Sequence, residues 1–230
     1  MDHSKLLFRN DSRNDSIEKS EEAWEAMDMF ASYRDLLELD HLHNAAIREV
    51  QIKLETLNDE FKIKFERSPI HHVESRLKSK ASIVKKLMDR GVEVSLESAR
   101  QSLNDIAGVR VVCCYIDDVY SVADMLLRQS DIKLVKRQDY IEHPNYNGYR
   151  SLHLDIQVPI YLSDRTEYVA VEVQLRTVAM DFWASLEHDL RYKSGKNPPE
   201  EISEELLACS NEVAALDKRM QDMYKRIQAL

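Results

Sequence analysis

The sequence predicts an α+β protein in which helices at both ends of the chain flank a mixed central sheet of about five strands. Apolar residues recur at helical spacing near both ends, and β-branched runs fill the middle of the chain. Only 4 Gly and 5 Pro interrupt 230 residues, of which 32% are charged. This composition is typical of a compact, helix-rich protein that folds without metal or disulfide bonds.

The amino-terminal residues 1–16 are polar and are predicted to be flexible, and a single domain is predicted over 17–230. Within this domain, two apolar series step by four and three residues, at 26–37 and 50–61. Both series predict amphipathic helices, with a softer stretch near 41–44 between them. Pro69 ends this helical region.

Strands and helices alternate through the middle of the chain. The strands are predicted at 72–79, 109–115, 132–138, 151–159 and 167–177, where residues are β-branched or alternate between apolar and polar. The helices are predicted at 81–90, 117–129 and 177–193. The last two strands are joined by a short link, which predicts a hairpin.

A long carboxy-terminal helix carries an apolar seam whose intervals alternate between four and three residues. Its members are Ile202, Leu206, Cys209, Val213, Leu216, Met220, Met223, Ile227 and Leu230. A heptad seam of this regularity usually packs against another helix. The sequence leaves open whether that helix belongs to the same subunit or to another one.

Charge and cysteine usage exclude some classes of protein. The net charge of −9 disfavours a stable nucleic-acid partner. Basic residues concentrate in 74–90, which fits either a small polyanionic ligand or a solvated helix face. The three cysteines lack metal-site spacing and no apolar run approaches the length of a membrane span, so we expect a cytoplasmic protein that does not contact the membrane.

Alternation along three strands places charged and polar side chains on one face of the predicted sheet. This face receives Ser151, His153, Asp155, Gln157, Glu172, Gln174, Arg176, Glu74, Arg76 and Lys78, while the other receives apolar residues. If the strands are neighbours, cations, an imidazole and a carboxylate share one concave surface. The alternative is a sheet face that is simply wetted by solvent.

Asp105 supplies a second carboxylate just before the strand at 109–115. Together with Glu172 it could hold Mg²⁺, which takes few carboxylates and completes its coordination with substrate phosphates. The phosphates would be met by Arg76, Lys78, Lys86 and Arg110. Gly148 would let the backbone approach a ligand, with Tyr149 as a flat surface for a base, although a lone Tyr after Gly is far more often part of a turn.

Four motifs occur in the order RLKSKASIVKK, DIAGVR, NGYRSLH and VEVQLRT. Together they resemble the synthetase domain of the RelA/SpoT family over roughly residues 45–225. We expect this chain to be too short to contain the hydrolase and regulatory domains of the long family members. The chain therefore resembles the small alarmone synthetases, and the RelP type more than the RelQ type.

The resemblance implies a nucleotidyltransferase-like fold and a Mg²⁺-dependent GTP pyrophosphokinase. Such an enzyme, a (p)ppGpp synthetase of the stringent response, transfers the β,γ-pyrophosphate of ATP to the 3′-hydroxyl of GTP or GDP. It also implies a homotetramer assembled through the terminal helices. One rival interpretation is a catalytically silent nucleotide- or RNA-binding protein, which would not need the intact Asp105/Glu172 pair. Another is a nucleotidyltransferase acting on RNA, against which the acidic net charge argues.

By the same resemblance, Glu172 and Asp105 are catalytic and hold the metal, and Glu172 also orients or deprotonates the acceptor hydroxyl. ATP is bound by Arg76, Lys78, Lys86 and Arg110, with the two arginines on either side of the adenine. GTP or GDP is bound by Tyr149, His153, Arg150 and Gln174. The chain departs from the family motifs at Asp89, Gln138 and Asn145, which leaves open the preference between GTP and GDP.

Overall fold

The computed structural model describes residues 33–194 and 199–230. In these residues it contains the helices α1 (Tyr33–Phe65), α2 (Lys80–Asp89), α3 (Leu96–Ser102), α4 (Ile116–Leu127), α5 (Val178–Ser194) and α6 (Glu200–Gln228). The strands are β1 (Ile70–Leu77), β2 (Ala107–Cys113), β3 (Lys133–Asp139), β4 (Leu152–Tyr161) and β5 (Thr166–Thr177). The predicted flexible segment 1–16 lies outside the described residues.

The predicted α+β architecture is confirmed, since the five strands form one mixed sheet in the order β1-β2-β5-β4-β3. The β2–β5 pair is parallel, and β1–β2, β3–β4 and β4–β5 are antiparallel. The hairpin predicted for the last two strands is therefore confirmed as β4–β5. Parallel β2 and β5 end at the same edge of the sheet, where β4 begins.

The softer stretch near 41–44 does not interrupt α1, which is continuous from Tyr33 to Phe65. There His43 Nδ1 lies 2.8 Å from the Leu39 carbonyl oxygen, and Asn44 donates to that of Asp40. The short helix α3 was not predicted. It buries only Ala99 and so shows no apolar period, although the Ser95 hydroxyl caps it by accepting from Ser98 N.

One face of the sheet forms the main apolar core. The inward residues of β4 and β5 pack there against α1 and α4, and the fully buried members include Leu54, Val122, Leu126, Leu152, Leu154, Ile156, Val171, Val173 and Leu175. Each such side chain contributes roughly 1.5–3 kcal/mol on burial. Since α1 and α4 both cover this face, the opposite face is left for polar groups.

At the edge where β2 and β5 end, α6 packs against the rest of the chain through polar groups. Its buried residues are Ser210, Asp217 and Gln221. The predicted apolar seam points away, with Leu216 53% and Met220 44% exposed. Within the described residues, most of the seam is therefore left uncovered by its own subunit. None of the described helices is long and apolar enough to cross a membrane.

Candidate active site

The strand register brings the predicted polar residues together on one face of the sheet. Two rows cross this face, each with one residue from every strand. In the order of the strands across the sheet, the rows are Arg76, Gly108, Glu172, Asp155 and Lys136, and Glu74, Arg110, Gln174, His153 and Gln138. Of the three strands whose adjacency was considered, β4 and β5 are neighbours, whereas β2 lies between β1 and β5. The concentration of titratable groups on one face is confirmed.

A pocket opens on this face between Arg76 and Arg110. Gly108 and Glu172 also line it. A Cβ atom on Gly108 would lie 3.3 Å from Arg76 Cγ, so the missing side chain leaves room beside that arginine. The two guanidinium groups predicted to sandwich adenine thus line one pocket, and Arg110 is oriented there by an ion pair with Glu74 at 3.2 Å.

Asp105 lies at the edge of this face, between two lysines. Its Oδ2 accepts from Lys78 Nζ at 2.8 Å and from Lys86 Nζ at 2.6 Å. Burial alone would raise the pKa of Asp105, but the bonds from both lysines outweigh burial and lower it, so the carboxylate is charged. The buried Oδ1 has no hydrogen-bond partner among the described residues.

Glu172 is the second carboxylate. It accepts from Gln174 Nε2 at 2.8 Å, and its Oε1 lies 3.7 Å from His153 Nδ1. Burial raises the pKa of Glu172, the Gln174 bond lowers it, and the nearby Asp105 charge raises it, with a net upward shift. A carboxylate whose pKa is raised above its ordinary value suits a general base.

The donor set fits a divalent cation with hard oxygen ligands. Asp105 Oδ1 has no hydrogen-bond partner among the described residues, and Glu172 lies near enough for the Asp105 charge to raise its pKa. Mg²⁺ usually takes one or two carboxylates from the protein and completes its shell with water and substrate phosphates. In the described residues, no cluster of three or more His, Cys, Asp and Glu forms a metal site of the all-protein kind. The assignment to Mg²⁺ stays a prediction.

Tyr149 and His153 form an aromatic group beside Glu172. Tyr149 Oη lies 2.9 Å from His153 Nε2, and the two rings meet edge to face. Burial lowers the pKa of His153 to about 4, with a further contribution from the Arg176 charge, so the imidazole is neutral near pH 7. A neutral imidazole can bind a phosphate through a hydrogen bond but not through a full charge.

Two of the predicted residues, Arg150 of the acceptor site and Arg176 of the polar face, are engaged by helices instead of facing the pocket. The Arg150 guanidinium points to α6, where it donates to the Ser210 hydroxyl at 2.5 Å and to Asn211 Oδ1 at 3.1 Å. The structure therefore does not bring the Arg150 side chain together with the other residues predicted to bind GTP or GDP. Arg176 is covered at the end of β5 and pairs with Asp181 of α5 at 3.1 Å.

The interpretation of Gly148 is also corrected. Its φ of +89° is in the region that favours glycine, but the group that comes close to it is not a ligand. A Cβ atom there would lie 2.7 Å from Ser210 Cβ and 3.1 Å from Leu207 Cδ1. The glycine is required because α6 packs directly on the loop.

The protein-family model described as "Region found in RelA / SpoT proteins" matches residues 75–197, more than half of the chain. The chain belongs to the RelA/SpoT family. The resemblance that the four motifs carry is therefore confirmed. GTP pyrophosphokinase YwaC of Bacillus subtilis (strain 168) is 40% identical over 186 residues, which cover 81% of this chain and 89% of YwaC.

Solved structures of the family agree with this membership. The small alarmone synthetase 1 from Bacillus subtilis bound to its product pppGpp is 34% identical, with a TM-score of 0.74 over 81% of this chain and 94% of that one. The structure of the same synthetase bound to AMPCPP is 30% identical, with a TM-score of 0.69 over 82% of this chain and 94% of that one. The predicted fold is confirmed, while the roles of individual residues stay predictions.

Tyr140 was missed by the sequence analysis of this RelA/SpoT protein. Its ring meets both Tyr149 and His153 edge to face, and its hydroxyl accepts from Gln138 Nε2 at 3.0 Å. The signal was present, because Tyr140 follows Gln138 by two residues and alternation places both on the same face. The three rings together make the aromatic end of the polar face.

Proposed function

We propose that this chain is a GTP pyrophosphokinase that transfers the β,γ-pyrophosphate of ATP to the 3′-hydroxyl of GTP or GDP. The observation that carries the proposal is that Asp105, held between two lysines, lies near Glu172 of the arginine-lined pocket, in a chain of the RelA/SpoT family. A protein that only bound nucleotides would not need two nearby carboxylates opposite the phosphates. The products would be AMP and pppGpp or ppGpp.

The ATP side of the site is assigned to the basic residues. Lys78 and Lys86, which now neutralise Asp105, are positioned to turn to the phosphates when ATP enters. Arg76 and Arg110 would hold the adenine between them, since a guanidinium plane stacks on a flat ring. Bound Mg²⁺, held by Asp105 and Glu172, would neutralise and orient phosphate oxygens.

The acceptor side is assigned to Tyr149, His153 and Gln174. The Tyr149 ring offers a stacking surface for guanine, and neutral His153 donates to the acceptor phosphate. The 3′-oxygen forms its new bond to the β-phosphorus of ATP as the bond from that phosphorus to the AMP oxygen breaks. Glu172, whose pKa is raised, accepts the 3′-hydroxyl proton.

A direct assay tests the reaction. Purified protein is incubated with ATP, GTP and Mg²⁺, and the nucleotides are separated by anion-exchange chromatography. We expect AMP and pppGpp in equal amounts, and AMP with ppGpp when GDP replaces GTP. AMP formation independent of the acceptor, or nucleotide binding without any product, would refute the proposal and favour the silent binding protein.

We also propose a homotetramer assembled through the terminal helices. The support is the exposed seam, in which Leu216, Met220, Met223 and Ile227 are between 44% and 65% exposed. An apolar stripe of this length on one helix is typical of a surface that another helix covers.

We also propose a cytoplasmic location. It is supported by the free cysteines Cys113, Cys114 and Cys209, because disulfides are rare in reducing compartments.

Substitution of Leu216 and Met220 by Lys tests the interface. We expect light scattering to give a smaller molecular mass for the assembly of the double variant, because two charges would have to be buried in an apolar contact. Substitution of Ala208 and Ala215 by Lys is the matched control, since both alanines are exposed on α6 away from the seam. A native mass in the seam variant, or an equal loss in the control, would contradict the assignment.

A further inference from the structure

The loop that presents Tyr149 is held by two helices. From α5, Glu187 accepts from Asn147 Nδ2 at 3.0 Å. From α6, the Ser210 hydroxyl donates to the Gly148 carbonyl oxygen at 2.6 Å. The loop is also closed on itself, since Gly148 N donates to the Asn145 carbonyl at 2.8 Å and Asn145 N to that of Tyr149 at 3.1 Å.

Ser210 is the centre of the contact on α6. It is 4% exposed, donates to Gly148 and accepts from Arg150 Nη1 at 2.5 Å. The same Arg150 nitrogen donates to the Gly148 carbonyl at 2.9 Å, so the three groups form a closed set of hydrogen bonds. Burial lowers the pKa of Arg150, although the guanidinium stays charged, so its bonds are of the stronger charge-assisted kind.

These bonds determine where Tyr149 lies. Gly148 and Arg150, on either side of it, are both fixed to Ser210, and the Tyr149 side chain extends the other way, to His153 on the polar face. A side chain between two anchored neighbours keeps one orientation without a ligand. The cost of ordering it on binding is correspondingly small.

We propose that Ser210 is a positioning residue for the acceptor nucleotide, acting through Gly148 and Arg150 to hold Tyr149 ready for guanine. The proposal rests on the proposed function, which assigns Tyr149 to the acceptor. It gives the carboxy-terminal helix a part in substrate binding, at a distance from the carboxylates. It also gives Arg150 a different role from direct nucleotide contact.

Other contacts keep α6 in place without Ser210. Thr177 Oγ1 donates to Asp217 at 2.5 Å, and Gln221 Oε1 accepts from Asp117 N at 2.9 Å. Tyr224 stacks on Tyr115 with ring centroids 4.3 Å apart. Removal of one hydroxyl should therefore loosen the loop while α6 stays docked.

Ser210→Ala tests this separation. It deletes the hydroxyl and introduces no larger group, so both Gly148 and Arg150 lose a partner. We expect the Kd for GDP, measured by calorimetry, and the KM for GTP to rise about 3- to 30-fold, with the KM for ATP unchanged. Amide exchange at Asn145 and Gly148 should become faster, while the melting temperature changes little.

Gln221→Ala is the matched control, because it truncates another buried polar side chain of α6 that does not touch the loop. It should leave GDP affinity and loop exchange unchanged. The proposal is overturned if Ser210→Ala keeps wild-type affinity for GDP, weakens ATP and GTP equally, or behaves as Gln221→Ala does. Calorimetry and exchange need no turnover, so GDP binding without product would refute the proposed function alone.

Discussion

The two faces of the central sheet differ although they are made by the same strands. On β5, Val171 and Val173 are completely buried under α1 and α4, while Glu172 between them faces the pocket. On β4, Leu154 separates His153 from Asp155 in the same way. The apolar face packs into the core and stabilises the sheet. The polar face can carry charged side chains, which would cost too much free energy if they were buried unpaired in the core.

The helices on the two sides show the same contrast. Helix α1 buries four leucines, one isoleucine and one valine and exposes mostly polar residues, as an amphipathic helix normally does. Helix α6 buries Ser210, Asp217 and Gln221 and exposes its apolar seam. The difference teaches that an apolar stripe marks a contact surface but does not say whether the contact lies within the subunit.

If this division holds, variants on the polar face lose activity without losing stability, and the largest effect is expected for Glu172→Gln. The change keeps the size of the side chain but would remove the proposed metal ligand and base. We expect kcat to fall on the order of 10³-fold or more, measured by AMP release. The melting temperature should stay near that of the wild type, and near-wild-type turnover would contradict the assignment.

The reverse is expected for Leu154→Ala, on the other face of the neighbouring strand. Removal of a completely buried leucine leaves a cavity, and the free energy of unfolding should fall by about 2–5 kcal/mol. Urea denaturation measures this loss. Turnover per folded molecule should change far less than in Glu172→Gln, and a comparable loss of turnover would show that the two faces are not independent.

Alternation made this division predictable from the sequence, because side-chain period and strand type are local properties. Arg76, Arg110 and Glu172 were predicted to meet, and the strand register brings them together. Asp105 was predicted to join them, and it lies just before β2, near enough for its charge to raise the pKa of Glu172. The partner of Gly148 was not predictable, because Ser210 lies 62 residues away and its contact depends on how α6 crosses the edge of the sheet. Arg150 was misplaced for the same reason.

A smaller effect is expected at Tyr149, which belongs to the polar face but has an apolar ring. Tyr149→Ala should raise the KM for GTP about 5- to 150-fold, since loss of a stacked base costs roughly 1–3 kcal/mol. The KM for ATP should hardly change. Tyr149→Phe is the matched control: it keeps the ring and loses only the hydroxyl, which lies 2.9 Å from His153 Nε2, so its effect should be much weaker. Equal losses for both substrates would mean that the ring only builds the loop.

The smallest effect is expected at Asp217, which shows what burying a polar group on α6 costs. Burial raises the pKa of this carboxyl, against the lowering effect of the bond from Thr177. The folded state therefore holds a proton more tightly than the unfolded state does. Ionisation of Asp217 in the folded state therefore lowers the free energy of unfolding. This loss is zero below the ordinary pKa of an aspartate, grows as the pH rises through the raised value, and is complete above it.

Asp217→Asn removes the charge and keeps an oxygen that can accept from Thr177. We expect the variant to be more stable than the wild type near pH 8, and the difference to shrink steadily as the pH falls towards 4. Melting temperatures across this range measure the trend, and Asp222→Asn, on an exposed part of the same helix, controls for the loss of one charge. A difference that is constant with pH would mean that Asp217 ionises as easily in the fold as in water. In that case the buried side of α6 would be better solvated than its geometry indicates, and the contrast with α1 would be weaker.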